Sequence, residues 1–266
     1  MIGVFDSGLG GLSVFKQFLK LLPEYDYIYL GDNARMPYGD KSQKVVYQYT
    51  CEAIDFLANK NCQLIIIACN TASSLALRKI QQEYLPKKYP KIKVLGVVRP
   101  LSEYAANSKH KKIAIIGTRG TINSKSYEQE IKKINPKKKL KAVATPLLVP
   151  IIEEGWQNKI ESNKIIKNYL KPINSWDAEE LILGCTHYPF IINQIKKAVT
   201  KTQVPNPGKI VALSFKDYLS RHPELLIEKK KKPSRQFFVS DKNKTYKKLA
   251  ERFLNKKITH LEEVKL

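Results

Sequence analysis

Short apolar runs alternate with helical periodicity along this chain. Residues 2–5, 27–30, 64–68, 94–97, 112–116, 142–145, 181–184 and 236–239 are strand-length runs, most of them rich in β-branched and aromatic side chains. Between them Val14, Phe15, Phe18, Leu19 and Leu22 recur at the spacing of one helix face, which Pro23 ends. Tyr47, Ile54, Phe56 and Leu57 make a second face before Asn61, and Ile165, Ile166 and Leu170 a third. Buried strands alternating with amphipathic helices predict an α/β protein built on mainly parallel sheets.

Part of the pattern repeats. Ile2-Gly-Val-Phe-Asp6-Ser7-Gly8 has a counterpart in Ile113-Ala-Ile-Ile-Gly117-Thr118-Arg119, an apolar strand running into a small polar turn. Leu64-Ile-Ile-Ile-Ala-Cys69-Asn70-Thr71 has another in Leu181-Ile-Leu-Gly-Cys185-Thr186-His187, at nearly the same offset. Two related halves would each present a cysteine at the C-terminal end of a strand, the edge where parallel sheets bind ligands.

Composition narrows the class. With 266 residues, 43% hydrophobic and 27% charged, the chain can bury a sizeable core. No apolar run is long enough to span a membrane, and the N-terminus lacks a signal-peptide pattern, so a cytoplasmic address is expected. Four cysteines at unpatterned spacing do not read as a disulfide framework. The net charge of +23 raises nucleic-acid binding. No nucleic-acid motif accompanies the lysine clusters, which lie beside Pro and Asn at apparent loops, so solvated surface charge is the expected reading.

Candidate chemistry gathers at the strand ends. Asp6-Ser7-Gly8-Leu9-Gly10-Gly11 could bring backbone N–H groups to an anion at a helix N-terminus, but it matches neither a dinucleotide fingerprint nor a P-loop. A tight turn with Asp6 capping its helix explains it as well. Cys69 stands where a strand gives way to a helix, a position that favours thiolate. An inert buried thiol is the alternative, and Cys51 and Cys62 are read that way. Cys185 repeats the placement with His187 two residues on, and His187 could trade protons with a thiol. Zinc ligand spacing is absent. A cysteine hydrolase remains open but leaves one strand-end cysteine idle.

Five segments in order carry a resemblance. They are Gly3-Val-Phe-Asp-Ser-Gly-Leu-Gly-Gly-Leu-Ser13, Gly31-Asp-Asn-Ala-Arg-Met-Pro-Tyr-Gly39, Ile67-Ala-Cys-Asn-Thr-Ala-Ser73, Pro146-Leu-Leu-Val-Pro150 with Glu153-Glu-Gly155, and Leu183-Gly-Cys-Thr-His-Tyr-Pro189. Over nearly its whole length the chain resembles the glutamate racemases of the aspartate/glutamate racemase family. The resemblance implies two pseudo-symmetric α/β lobes with the active site in the cleft between them. It divides the chain into 1–98, with 208–266 returning to that lobe, and 99–207.

It further implies interconversion of L- and D-glutamate without pyridoxal phosphate or metal, supplying D-glutamate for peptidoglycan. Cys69 and Cys185 match the proton-transferring pair, with Asp6, His187 and Glu153 assisting. Asp6, Ser7, Tyr38, Gly39, Asn70, Thr71, Thr186 and His187 match substrate-binding positions, and Thr118 and Thr121 are candidates for the side-chain carboxylate. A homodimer is one assembly the family allows. Arg99 and Asn206 depart from the family pattern, where relatives usually carry glutamate and aspartate. Aspartate racemisation, and a non-enzymatic basic binding protein on the same scaffold, are the alternatives.

Overall fold

The computed structural model describes residues 1–266. β1 (Ile2–Asp6), β2 (Tyr27–Gly31) and β3 (Leu64–Ile67) are buried at every position, as parallel strands covered on both faces must be. With β4 (Lys93–Gly96), β8 (Arg235–Val239) and β9 (Glu262–Glu263) they form one all-parallel sheet in the order β4-β3-β1-β2-β8-β9. β5 (Lys112–Gly117), β6 (Lys139–Ala144) and β7 (Glu180–Gly184) form a second parallel sheet in the order β6-β5-β7. The internal repeat is visible here: β3-β1-β2 in the larger sheet has the same order as β7-β5-β6 in the smaller.

The expected α/β class is the observed one, with local differences. β6 begins three residues before the predicted run, because Lys139 and Lys141 conceal the first half of an edge strand that is only partly buried. β9 is two glutamates long on a sheet edge, too short and polar for periodicity to reveal.

α1 (Leu12–Leu21) and α2 (Gln43–Asn59) fall where the apolar faces place them, and so does the helix Ile160–Ser175. The helix Val98–Asn107 carries Pro100 in its first turn, where a missing N–H costs nothing, so proline there is no breaker. Asn206 caps the helix Pro207–Arg221, its Oδ1 accepting the Lys209 N–H at 3.1 Å. Aspartate would do the same, so this departure is conservative in its physics. Arg99 lies on the first turn of Val98–Asn107, paired with Glu103 and Glu130 on the surface. The larger apolar core runs through both sheets, from Ile2 and Phe15 to Ile115 and Leu183, and a second one, with Phe5, Ile54 and Ile65, covers the other face of the six-stranded sheet. No helix is long and apolar enough to cross a membrane.

Candidate active site

The C-terminal ends of β1 and β3 meet those of β5 and β7 across a cleft. Cys69 follows β3 and is the N-cap of the short helix α3 (Asn70–Leu75), its Sγ 3.5 Å from the Ala72 N–H. Ser7 Oγ lies 3.3 Å from the same sulfur. These contacts favour thiolate, as the sequence suggested, but they do not win. Burial, reinforced by the charge of Asp6, pushes the Cys69 thiol up to about 12. In this closed geometry burial holds Cys69 toward the thiol, against the expectation from helix position.

Cys185 follows β7 and meets a different environment. Its Sγ lies 3.9 Å from His187 Nδ1, and His187 Nε2 lies 2.9 Å from Glu153 Oε1 at the end of the helix Leu148–Glu153. Burial alone would lower the His187 pKa. The neighbouring Cys185 and Glu153 outweigh it, and the imidazole is raised to about 10. A cationic ring is thus sandwiched between the sulfur and a carboxylate.

Asp6 ends β1 close enough to Cys69 for its charge to be felt there, and it does not line the cavity itself. It is fully buried, accepts the Gly8 N–H at 3.0 Å and receives Thr186 Oγ1 at 3.3 Å. Desolvation raises its pKa, opposed by His187 and these hydrogen bonds. Two glycines permit the approach. A Cβ on Gly10 would fall 2.3 Å from Thr186 Oγ1 and 2.4 Å from His187 Nδ1, and one on Gly11 2.4 Å from the Asp6 Cβ.

Thr71, Thr118 and Thr121 close a triangle of hydroxyls at 2.9, 3.1 and 3.4 Å. Thr118 also caps the helix Arg119–Asn123, so this triangle sits where two helix N-termini converge. Thr121 stands behind the other two and does not line the cavity. Gly39 packs against Thr118, and its carbonyl accepts the Gly120 N–H at 2.8 Å. Tyr38 lines the cavity, but its hydroxyl is committed to Asp32 at 2.5 Å, so only its ring and main chain face the site. Asp32 in turn accepts Arg35 Nε at 2.7 Å.

The cavity enclosed by these groups is lined by both cysteines, Ser7, Asn70, Thr186 and His187 among others. Sequence reasoning gave no role to Met36 or Val149 in its wall, nor to Asp32 and Arg35 behind Tyr38. All of these, Val149 included, stand inside segments that carried the resemblance, which was the available signal. No lysine or arginine lines the cavity, so anions there meet neutral donors, helix N-termini and His187. No three His, Cys, Asp or Glu side chains converge to hold a metal anywhere in the fold.

The cavity holds only about 30 Å³, room for a water or two. Bonds across the cleft keep it shut: Ser13 Oγ to the Thr186 carbonyl at 2.8 Å, Thr71 to Thr118, and Arg119 to Asp40 at 2.9 Å. A far larger recess of about 920 Å³ opens elsewhere, lined by Arg78, Arg99 and Glu130 among others. It contains neither cysteine; both line the smaller cavity.

Comparisons with known proteins agree with this geometry. The family model described as Asp/Glu/Hydantoin racemase matches residues 2–212. A glutamate racemase from Geobacter metallireducens is 37% identical, over 100% of this chain and 96% of its own length. The Francisella tularensis glutamate racemase, solved in complex with D-glutamate, superposes with a TM-score of 0.90 at 34% identity, covering 99% of this chain and 96% of that one. A Bacillus anthracis glutamate racemase isoform gives 0.92 at 30% identity, covering 100% and 97%. The chain therefore belongs to the Asp/Glu/Hydantoin racemase family.

Proposed function

We propose that this protein interconverts L- and D-glutamate by proton transfer between two cysteines, providing D-glutamate for peptidoglycan in the cytoplasm. One observation carries the reading: Cys69 and Cys185 line one small cavity from two different sheets, each with its own polar partners. Racemisation needs a base on one face of Cα and an acid on the other. The thiolate takes the Cα proton, the thiol returns one to the opposite face, and the roles of the sulfurs are then exchanged. Their titrations belong to the pair.

The residues around them suit the intermediate charge. Loss of the Cα proton leaves a carbanion-like state whose charge delocalises onto the α-carboxylate. Free N–H groups at the start of α3, with the hydroxyls of Ser7 and Thr186, would stabilise it in a site closed to water. Asn70, Thr71 and the Tyr38–Gly39 segment complete the proposed substrate contacts, and Thr118, held by Thr121 behind it, receives the side-chain carboxylate. Asp6 holds Thr186, and Glu153 fixes the His187 ring.

Glutamate is several times larger than the closed cavity, so the cross-cleft bonds must break to admit it. We place the moving division at 98/99 and 207/208. Turnover of L-glutamate in D₂O tests the proposal, followed by optical rotation and Cα deuterium without added cofactor. Wild type should lose rotation and take up deuterium, while Cys69→Ser and Cys185→Ser should each lose nearly all racemisation. A folded wild type inert to L-glutamate would refute the assignment; activity on L-aspartate alone would favour the aspartate reading.

A further inference from the structure

Tyr127 is buried at the start of the helix Ser126–Ile134, away from the cavity wall, and no role has been given to it so far. Its phenol donates to Asn70 Oδ1 at 2.6 Å across the cleft. Asn70 is the residue after Cys69 and lines the cavity. The ring of Tyr127 also lies against Gly184, the residue before Cys185: a Cβ on Gly184 would fall 3.2 Å from Tyr127 Cε2. One side chain therefore touches the neighbours of both sulfurs, one by its ring and the other by its hydroxyl.

We propose that Tyr127 is a positioning residue: its ring sets the separation of the two cysteine-bearing strand ends, and its hydroxyl fixes the Asn70 amide. The inference rests on the racemase reading for its kinetic consequences. A primary amide can present either its oxygen or its nitrogen to a ligand. With Oδ1 taken by the phenol, Asn70 turns Nδ2 toward the cavity, where a carboxylate needs donors. The phenol suits this task because burial raises its pKa, so it stays a donor throughout the pH range of turnover. The neighbouring Ser126 Oγ donates to the Ser74 carbonyl at 3.1 Å, so a second bond from this helix start grips α3. Supporting contacts of this kind hold binding groups to the tolerance that proton transfer demands.

Tyr127→Phe keeps the ring and removes the hydroxyl, while Tyr127→Leu removes both. Tyr127→Phe should raise KM for both enantiomers about three- to tenfold, with kcat held within about twofold. That penalty should vanish when the change is added to Asn70→Ala, because the anchored group is already gone. Tyr127→Leu should lower kcat as well, since the strut itself is lost. In parallel, the Asn70 side-chain NH₂ resonances, assigned by their loss in Asn70→Ala, should shift in Tyr127→Phe without any substrate. An unchanged KM in Tyr127→Phe, an undiminished effect in the Asn70→Ala background, or unmoved NH₂ resonances would overturn the proposal. A wild type inert to glutamate retires the racemase reading alone; the NMR comparison still decides the anchor.

Discussion

Cys69 and Cys185 end matching strands of a repeated half, yet their surroundings carry opposite electrical character. Cys69 has a hydroxyl, a helix N-terminus and the buried carboxyl of Asp6, and it is held as a thiol. Cys185 has an imidazole raised to about 10 and backed by a carboxylate. Backbone symmetry supplies two sulfurs facing one cavity. Side-chain asymmetry gives the two sulfurs different neighbours, the kind of difference that the proposed two-base reaction would use. The lesson is that a duplicated scaffold can keep its backbone plan while the copies diverge in side chains, at His187 and Glu153 on one side and Ser7 on the other.

The sharpest way to break this comparison is to remove its charged side. His187→Asn should lower kcat about a hundredfold or more, because it takes the cation from beside Cys185. Ser7→Ala, which removes only a neutral hydroxyl near Cys69, should cost much less. Steady-state rates in both directions measure this. Equal losses in the two variants would mean that the asymmetry has no bearing on turnover.

The next effect is steric. Gly10→Ala places a methyl where Thr186 Oγ1 and His187 Nδ1 now sit, so the cleft cannot close without displacing the imidazole. A loss of about tenfold or more in kcat/KM is expected, with a melting temperature reduced by the roughly 1–3 kcal/mol that overpacking costs. Wild-type activity in this variant would show that closure to the observed geometry is not needed.

How much of this was legible beforehand depends on the kind of signal. Buried parallel strands announce themselves as apolar runs, so β1, β3 and β7 and the two cysteines at their ends could be read directly. The helices Val98–Asn107 and Pro207–Arg221 were not among those read, and each carries a proline in its first turn, where it is tolerated. The members of the site were legible as motif segments, but their states were not. Position at a helix N-terminus argued for a Cys69 thiolate, and the opposing desolvation depends on packing from distant segments. Tyr38 matched a substrate-binding position, and only tertiary structure shows that its hydroxyl is taken by Asp32. Tyr127 carried no signal at all, because its two contacts lie 57 residues apart in one direction and on another strand in the other.

Chemical labelling sharpens the comparison without turnover. Under limiting iodoacetamide near neutral pH, Cys185 should be alkylated about tenfold faster than Cys69, as read by peptide mass spectrometry. Cys51 and Cys62 should react slowly like Cys69, since burial raises their thiols to about 11 and about 12. His187→Asn should erase the preference between the two site cysteines. A faster reaction at Cys69 in the wild type would reverse the assignment of the resting thiol.

The smallest expected effect is on stability, and its sign follows from the His187 pKa. The folded value of about 10 lies above the ordinary 6.5, so the folded state holds its proton more tightly than the unfolded chain does. Stability from this group is fully present below about 6.5 and is lost as pH rises through about 10. Its size is on the order of a few kcal/mol, because the ring is buried between two partners. Urea unfolding of the wild type across that window should show falling stability, and His187→Asn should flatten the slope. Glu153→Gln should flatten it in part, since Cys185 would still face the ring. A slope unchanged in both variants would mean that His187 is neutral in the folded protein, and Cys185 would then lack the cationic partner that distinguishes it from Cys69.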